Sequence, residues 1–88
     1  MKKAFEITRG TEPLNPSGFH MRFANGYTVS VQFAGHNYSD DGKTTAEVAA
    51  WNEHGEWYSP ETWGGDSIKG WATPEAVAAF IFEVSKLP

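Results

Sequence analysis

Residues 19–33 carry the pattern that most restricts what this chain can fold into. Phe19, Met21 and Phe23 alternate with His20 and Arg22; Tyr27, Val29, Val31 and Phe33 alternate with Thr28, Ser30 and Gln32. An apolar period of two marks a half-buried strand, and Asn25-Gly26 between the two runs is a strong hairpin signal. Register decides the loop length. A two-residue Asn-Gly turn sets Phe23 against Thr28 and Met21 against Ser30, which mixes apolar and polar side chains on one face, because directly paired residues point the same way. A three-residue loop, Ala24-Asn25-Gly26, sets Phe23 against Tyr27, Met21 against Val29 and Phe19 against Val31. The sequence therefore predicts a type I turn with Gly26 left-handed in a bulge.

The remaining elements follow around this hairpin. Ala4 to Thr8 reads as a short edge strand, followed by a proline- and glycine-punctuated loop over residues 12–18. Residues 34–44 read as a polar loop. Thr45 to Trp51 and Glu56 to Ser59 read as a second hairpin around Asn52-Glu53-His54-Gly55, with Asn first and Gly fourth as a type I turn prefers. That register pairs Trp51 with Trp57 and Ala50 with Tyr58. Pro60 to Gly70 reads as loop. Thr73 is a good helix N-cap, Pro74 suits the first helical position, and Glu75 complements the helix dipole. Val77, Phe80, Ile81 and Val84 then make one apolar stripe, with Phe82 on the far side beside Glu75, Ala78, Ala79 and Lys86. The expected fold is α+β: a single domain over residues 1–88, with an antiparallel four- to five-stranded sheet of two hairpins packed on one C-terminal helix. The helix stripe is expected to meet Phe19, Met21, Phe23, Tyr27, Val29 and Val31.

Composition excludes more than it assigns. There is no cysteine, hence no disulfide framework and no thiolate metal site. The opening Met1-Lys2-Lys3 lacks the apolar run of a signal peptide, and no segment has the length of a membrane span. The expected compartment is the cytoplasm, with no membrane partner. Seven Lys and Arg stand against eleven Asp and Glu, a net charge of −4. Recognition through phosphates calls for a basic surface, so direct nucleic-acid binding is not expected.

No motif for catalysis or a cofactor emerges. The glycines are scattered in turns rather than gathered before a helix, and no Ser or Thr neighbours a His in a nucleophile pattern. His20, His36 and His54 lack the spacing of a zinc site, and Asp40-Asp41-Gly42 lacks the alternating ligands of a calcium loop. Glu47, Glu53, Glu56 and Glu61 are close in sequence but fall at exterior or turn positions, where solvated carboxylates are ordinary. The expectation is no metal, no cofactor and no enzymatic activity.

What stands out is the sheet face opposite the helix. It gathers His20, Arg22, Thr28, Ser30 and Gln32 from one hairpin with Trp51 and Trp57 from the other. Trp and Arg are enriched among binding hot spots. Equally, the Trp pair can be a cross-strand clamp, or be covered by the 60–70 loop that carries Trp63. Phe82 and the acidic turn at Glu53 are further candidate contacts. Nothing in the sequence indicates an oligomeric state.

The stretch from Pro16-Ser17-Gly18-Phe19-His20-Met21 through Asn25-Gly26-Tyr27-Thr28-Val29-Ser30-Val31-Gln32-Phe33 and Gly35-His36-Asn37-Tyr38 resembles a group of short, uncharacterised proteins encoded by bacteriophages and prophages. Ala46-Glu47-Val48-Ala49-Ala50-Trp51 and Gly70-Trp71-Ala72-Thr73-Pro74-Glu75 continue the likeness. Members often carry Cys after the Asn-Tyr pair; Ser39 follows Tyr38 here, so no role resting on a thiol carries over. The resemblance implies an accessory protein that binds and inhibits a host protein or complex, as anti-CRISPR and other anti-defence proteins do, in an infected or lysogenic bacterium. It brings no catalytic residues. The alternative is a binder that sequesters a nucleotide-like signal between Trp rings: a deep aromatic pocket would favour it, a flat or convex face the protein binder.

Overall fold

The computed structural model describes residues 3–9, 16–33 and 44–88. Five strands run in a meander: β1 (Phe5–Arg9), β2 (Pro16–Arg22), β3 (Thr28–Gln32), β4 (Ala46–Trp51) and β5 (Ile68–Ala72), each antiparallel to its neighbour and in chain order across the sheet. One helix, α1 (Pro74–Ser85), lies over β3, β4 and β5. The fold is thus the expected α+β architecture.

The central hairpin takes the three-residue loop. Gly26 N donates to Phe23 O at 3.0 Å, Phe23 N donates to Tyr27 O at 2.9 Å, and Gly26 sits at φ 90°. Met21 faces Val29 and Phe19 faces Val31, so the apolar residues share the helix side. The two strands approach closely at Gly18, where a Cβ would stand 2.0 Å from the Val31 carbonyl oxygen.

The second hairpin differs from the expected one. Residues 56–59 contribute only the bridge between Trp51 and Trp57, flanked by Asn52 N to Glu56 O and Tyr58 N to Ala50 O, both at 2.9 Å. Hydrogen-bonded pairs recur every second residue, so the next donor needed would be residue 60, opposite Val48. That residue is Pro60, which has no N–H, and the ladder stops. The chain turns through a short 3-10 segment at Glu61–Trp63 and returns as β5, setting Lys69 against Val48 and Ile68 against Ala49. Part of the segment read as loop is therefore the fifth strand. Its periodicity is hidden by a bulge between the Lys69 and Ala72 pairings, where Trp71 adopts φ 54°.

The core lies between the helix and the sheet. Val29, Val31, Ala46, Val48, Ala50 and Ala72 meet Phe80 and Val84. Phe19, Phe23 and Tyr27 pack at its margin, while Met21 stands outside it. Phe80 is held between two rings, Trp63 at 4.7 Å and Tyr58 at 6.2 Å, both stacked. Thr73 caps the helix by accepting from Ala76 N at 3.2 Å. The other end is capped from the sheet: Asn25 Nδ2 donates to the carbonyls of Val84 and Leu87 at 2.9 and 3.0 Å, while its Oδ1 accepts from Tyr27 N at 3.0 Å. One turn residue thus closes the hairpin and fastens the helix to it.

Candidate binding face

The strand registers lay the opposite face out in rows. One row runs Arg22, Thr28, Trp51 and Trp57; the next runs Glu6, His20, Ser30, Ala49 and Ile68. β3 supplies only small side chains to these two rows, and larger groups from β2 and β4 lean over them. His20 meets Trp51 edge-on, with centroids 5.3 Å apart and planes at 85°. Trp51 meets Trp57 at 5.3 Å and 66°. Both are the edge-to-face geometry that aromatic quadrupoles favour. The consequence is visible in β3, where Thr28 and Ser30 are buried although they face away from the helix.

Arg22 closes one side of this aromatic ridge. Its guanidinium pairs with Glu6 at 2.9 Å and donates to the Lys3 carbonyl at 3.1 Å. The hydrogen bond and charge of Arg22 hold the Glu6 carboxyl below its ordinary range. Burial, and then the Arg22 charge, lower the pKa of His20, so its imidazole is neutral near neutral pH. Beside the ridge lies an open trough of about 440 Å³ lined by Arg22, Phe23, Thr28, Trp51 and Glu53, with Glu53 lying across Gly26.

Of the seven candidate residues, Trp51, Trp57, His20 and Arg22 come together. Glu53 lines the trough beside them. Gln32 shares the face, but Nε2 donates to Thr8 at 2.9 Å and Ser30 at 3.1 Å while Oε1 accepts from Ser17 at 3.0 Å. Its role is to tie β1, β2 and β3 together. Phe82 lies away from this face, exposed on α1. Glu6 is the residue that sequence reasoning missed, because the register of β1 depends on a loop with no periodic signal.

Trp63 bears on whether the Trp pair is covered. That ring stacks on Phe80 on the helix side and does not cover Trp51 and Trp57. Trp57 stays 54% exposed. The residue from the 60–70 segment that does reach this face is Ile68, beside Ala49. His36 and Asp40-Asp41-Gly42 lie outside the described residues. Among the described residues no three His, Asp or Glu side chains converge as metal ligands, and no helix is long and apolar enough to cross a membrane. The chain matches no family model, no curated protein and no solved structure.

Proposed function

We propose that this domain is a protein-binding module that works through the open sheet face, with Trp51, Trp57, His20 and Arg22 as its centre. The observation that carries the reading is the exposed Trp57 braced on the half-buried Trp51. Trp57 stands 54% open while its partner Trp51 is fixed between it and His20. A large ring already held in one orientation loses little side-chain entropy on binding, which is how aromatic hot spots gain their energy. The resemblance to phage-encoded proteins sets the biological form of the proposal: an accessory factor that occupies a functional surface of a host protein, such as a CRISPR–Cas effector complex, and so inhibits it.

The geometry favours this over sequestration of a nucleotide-like signal. Capturing a base calls for two near-parallel rings with a gap between them, whereas Trp51 and Trp57 touch edge to face. Arg22, the one cation lining the trough among the described residues, is already engaged by Glu6 and the Lys3 carbonyl.

The test is quantitative capture from a lysate of the bacterial host, with Trp57→Ala and unaltered protein compared side by side. Trp57→Ala is expected to weaken binding of the captured partner by more than about 1 kcal/mol, roughly fivefold, without loss of the helix-side core. Full affinity in a folded Trp57→Ala variant would reduce the Trp pair to a hairpin clamp.

A further inference from the structure

Among the described residues, the helix side of the sheet is only partly covered. Strands lie about 4.8 Å apart, so five strands span about 19 Å, while one helix is about 10 Å across. α1 takes the β3–β5 half. Phe5 faces Met21 and Ile7 faces Phe19, so all four point to the helix side on the half the helix leaves open. Phe5 is 70% and Ile7 58% exposed. This shelf is one helix wide. Its inner wall is an apolar groove of about 370 Å³ lined by Phe19, Val31, Phe33, Val77 and Ile81.

The helix also has a face on which no other described element packs. Phe82, 64% exposed, projects from α1 on the side away from the core, in line with Ala78 and Ala79, which are small enough for close approach. At its edge the Lys86 ammonium lies over the Phe82 ring, with Nζ 5.3 Å from the centroid, at the end of a flexible side chain that can swing aside to solvent.

We infer that the shelf and the back of the helix are the two halves of one isologous interface, and that the occupant of the shelf is α1 of a second copy of this chain. A two-fold axis running along the strands, through the helix layer, moves α1 of each copy by two strand spacings, about 9–10 Å, onto β1 and β2 of the other. The two helices then lie side by side between two sheets, and Phe82 of each copy meets Phe5 and Ile7 of its partner. The area is adequate. At about 200 Å² for a Phe and slightly less for an Ile, these three side chains leave roughly 350–400 Å² open per copy. Two copies give roughly 750 Å², and Met21, Phe19, Ala78 and Ala79 carry the total toward the roughly 1,200 Å² of a specific interface. The arrangement matches each of the exposed apolar side chains on this side of the molecule, and it leaves both aromatic faces outward, so the dimer is bivalent for the partner proposed above.

Sedimentation equilibrium of the full chain tests this. The expected mass is twice the 9.7 kDa of one chain at tens of micromolar. Phe82→Glu is expected to raise the dimer dissociation constant at least tenfold with unchanged far-ultraviolet circular dichroism, since the side chain is exposed. Ile7→Lys is expected to do the same, and the double variant Ile7→Lys, Phe82→Glu to restore the dimer through complementary charge. Should Ile7→Lys fail to fold, Phe5→Lys provides the same charge on the same strand face. Trp57→Ala must leave the dimer intact. A monomer at all concentrations, a dimer indifferent to Phe82→Glu, or a dimer lost with Trp57→Ala would each overturn the inference. A monomer would leave the shelf to a helix of another protein.

Discussion

Asn25 offers the sharpest test of how the fold is held. Its amide donates to the carbonyls of Val84 and Leu87 and its oxygen accepts from Tyr27 N, so one side chain supplies three hydrogen bonds. Each hydrogen bond is worth about 0.5–1.5 kcal/mol net, and the Val84 carbonyl keeps its bond from Leu87 N when the amide is removed. Asn25→Ala is therefore expected to cost about 2–3 kcal/mol, a large share of the roughly 5–10 kcal/mol expected of a domain this size. The melting temperature should fall by about 10–20 °C. Asn25→Asp separates the hydrogen bonds from the shape. At neutral pH it sets a carboxylate against two carbonyls at the negative end of the helix dipole, so it is expected to be less stable than Asn25→Ala. The folded state then favours the protonated acid, which raises the folded pKa of this carboxyl above its unfolded value. The protonated form can donate to one of the carbonyls. The benefit is fully present below the unfolded value near 3.9 and is lost as pH rises through the folded value. Urea unfolding followed by Trp fluorescence at pH 4 and pH 7 measures both variants, and the Asp variant should gain on the Ala variant in acid. Losses below about 0.5 kcal/mol for both, or a gap between them that does not move with pH, would refute the claim that Asn25 caps α1.

Phe80→Ala should cost about 3–5 kcal/mol, because Phe80 fills the space between Trp63 and Tyr58; Phe82→Ala, measured at a concentration where the chain is monomeric, should cost far less, and equal losses would mean the helix is seated differently. At position 71 the order of small residues should invert. With φ 54° in the β5 bulge, Trp71→Gly should be about 1 kcal/mol more stable than Trp71→Ala, the reverse of an ordinary strand position. Thermal melts of the pair decide it. The Tyr58 hydroxyl donates to Glu83, which with partial burial pushes its pKa up to about 12. The folded state favours the protonated phenol, so this contribution is complete below pH 10 and is lost as pH rises toward 12. Tyr58→Phe should accordingly flatten the alkaline fall in stability over that range, and an unchanged profile would show the bond to be without effect.

How much was legible in the sequence follows the distinction between local and non-local information. The central hairpin could be read to the residue, because the face assignment of Phe19, Met21 and Phe23 admits only one loop length with Tyr27, Val29 and Val31 opposite. The helix was legible for the same reason, through Thr73, Pro74 and the Val77–Val84 stripe. β5 was not, since the bulge at Trp71 breaks its alternation and Gly70 reads as a loop residue. The stop at Pro60 was available in principle: counting hydrogen-bonded pairs from the Asn52-Gly55 turn brings a required donor to that position. At the candidate face, the Trp51–Trp57 pairing followed from that same turn. The Glu6–Arg22 pair and the bracing of Trp51 by His20 did not, because they depend on the order of strands across the sheet.

The two edges of the sheet are handled differently, and this bears on the dimer. At β5 the bulge and left-handed Trp71 break the regular row of backbone groups, one of the ways proteins prevent an edge from recruiting another strand. β1 is regular from Phe5 to Thr8. Arg22 N donates to Ala4 O at 2.8 Å, so Ala4, Glu6 and Thr8 direct their backbone groups toward β2, and Phe5 and Ile7 direct theirs outward. Those same two residues carry the exposed apolar side chains. Unpaired backbone beside open apolar surface is the combination that leads sheets to aggregate, and a domain that leaves it uncovered would be hard to keep in solution. Covering such an edge with a helix is the other common protection. α1 cannot reach it in its own chain, because Asn25 holds its C-terminal end against the β2–β3 turn and Phe80 is fixed under Trp63 and Tyr58. A helix from a second copy reaches it without disturbing either contact. The tether that makes α1 rigid in one subunit thus makes it available, with Phe82 outward, to protect β1 of another.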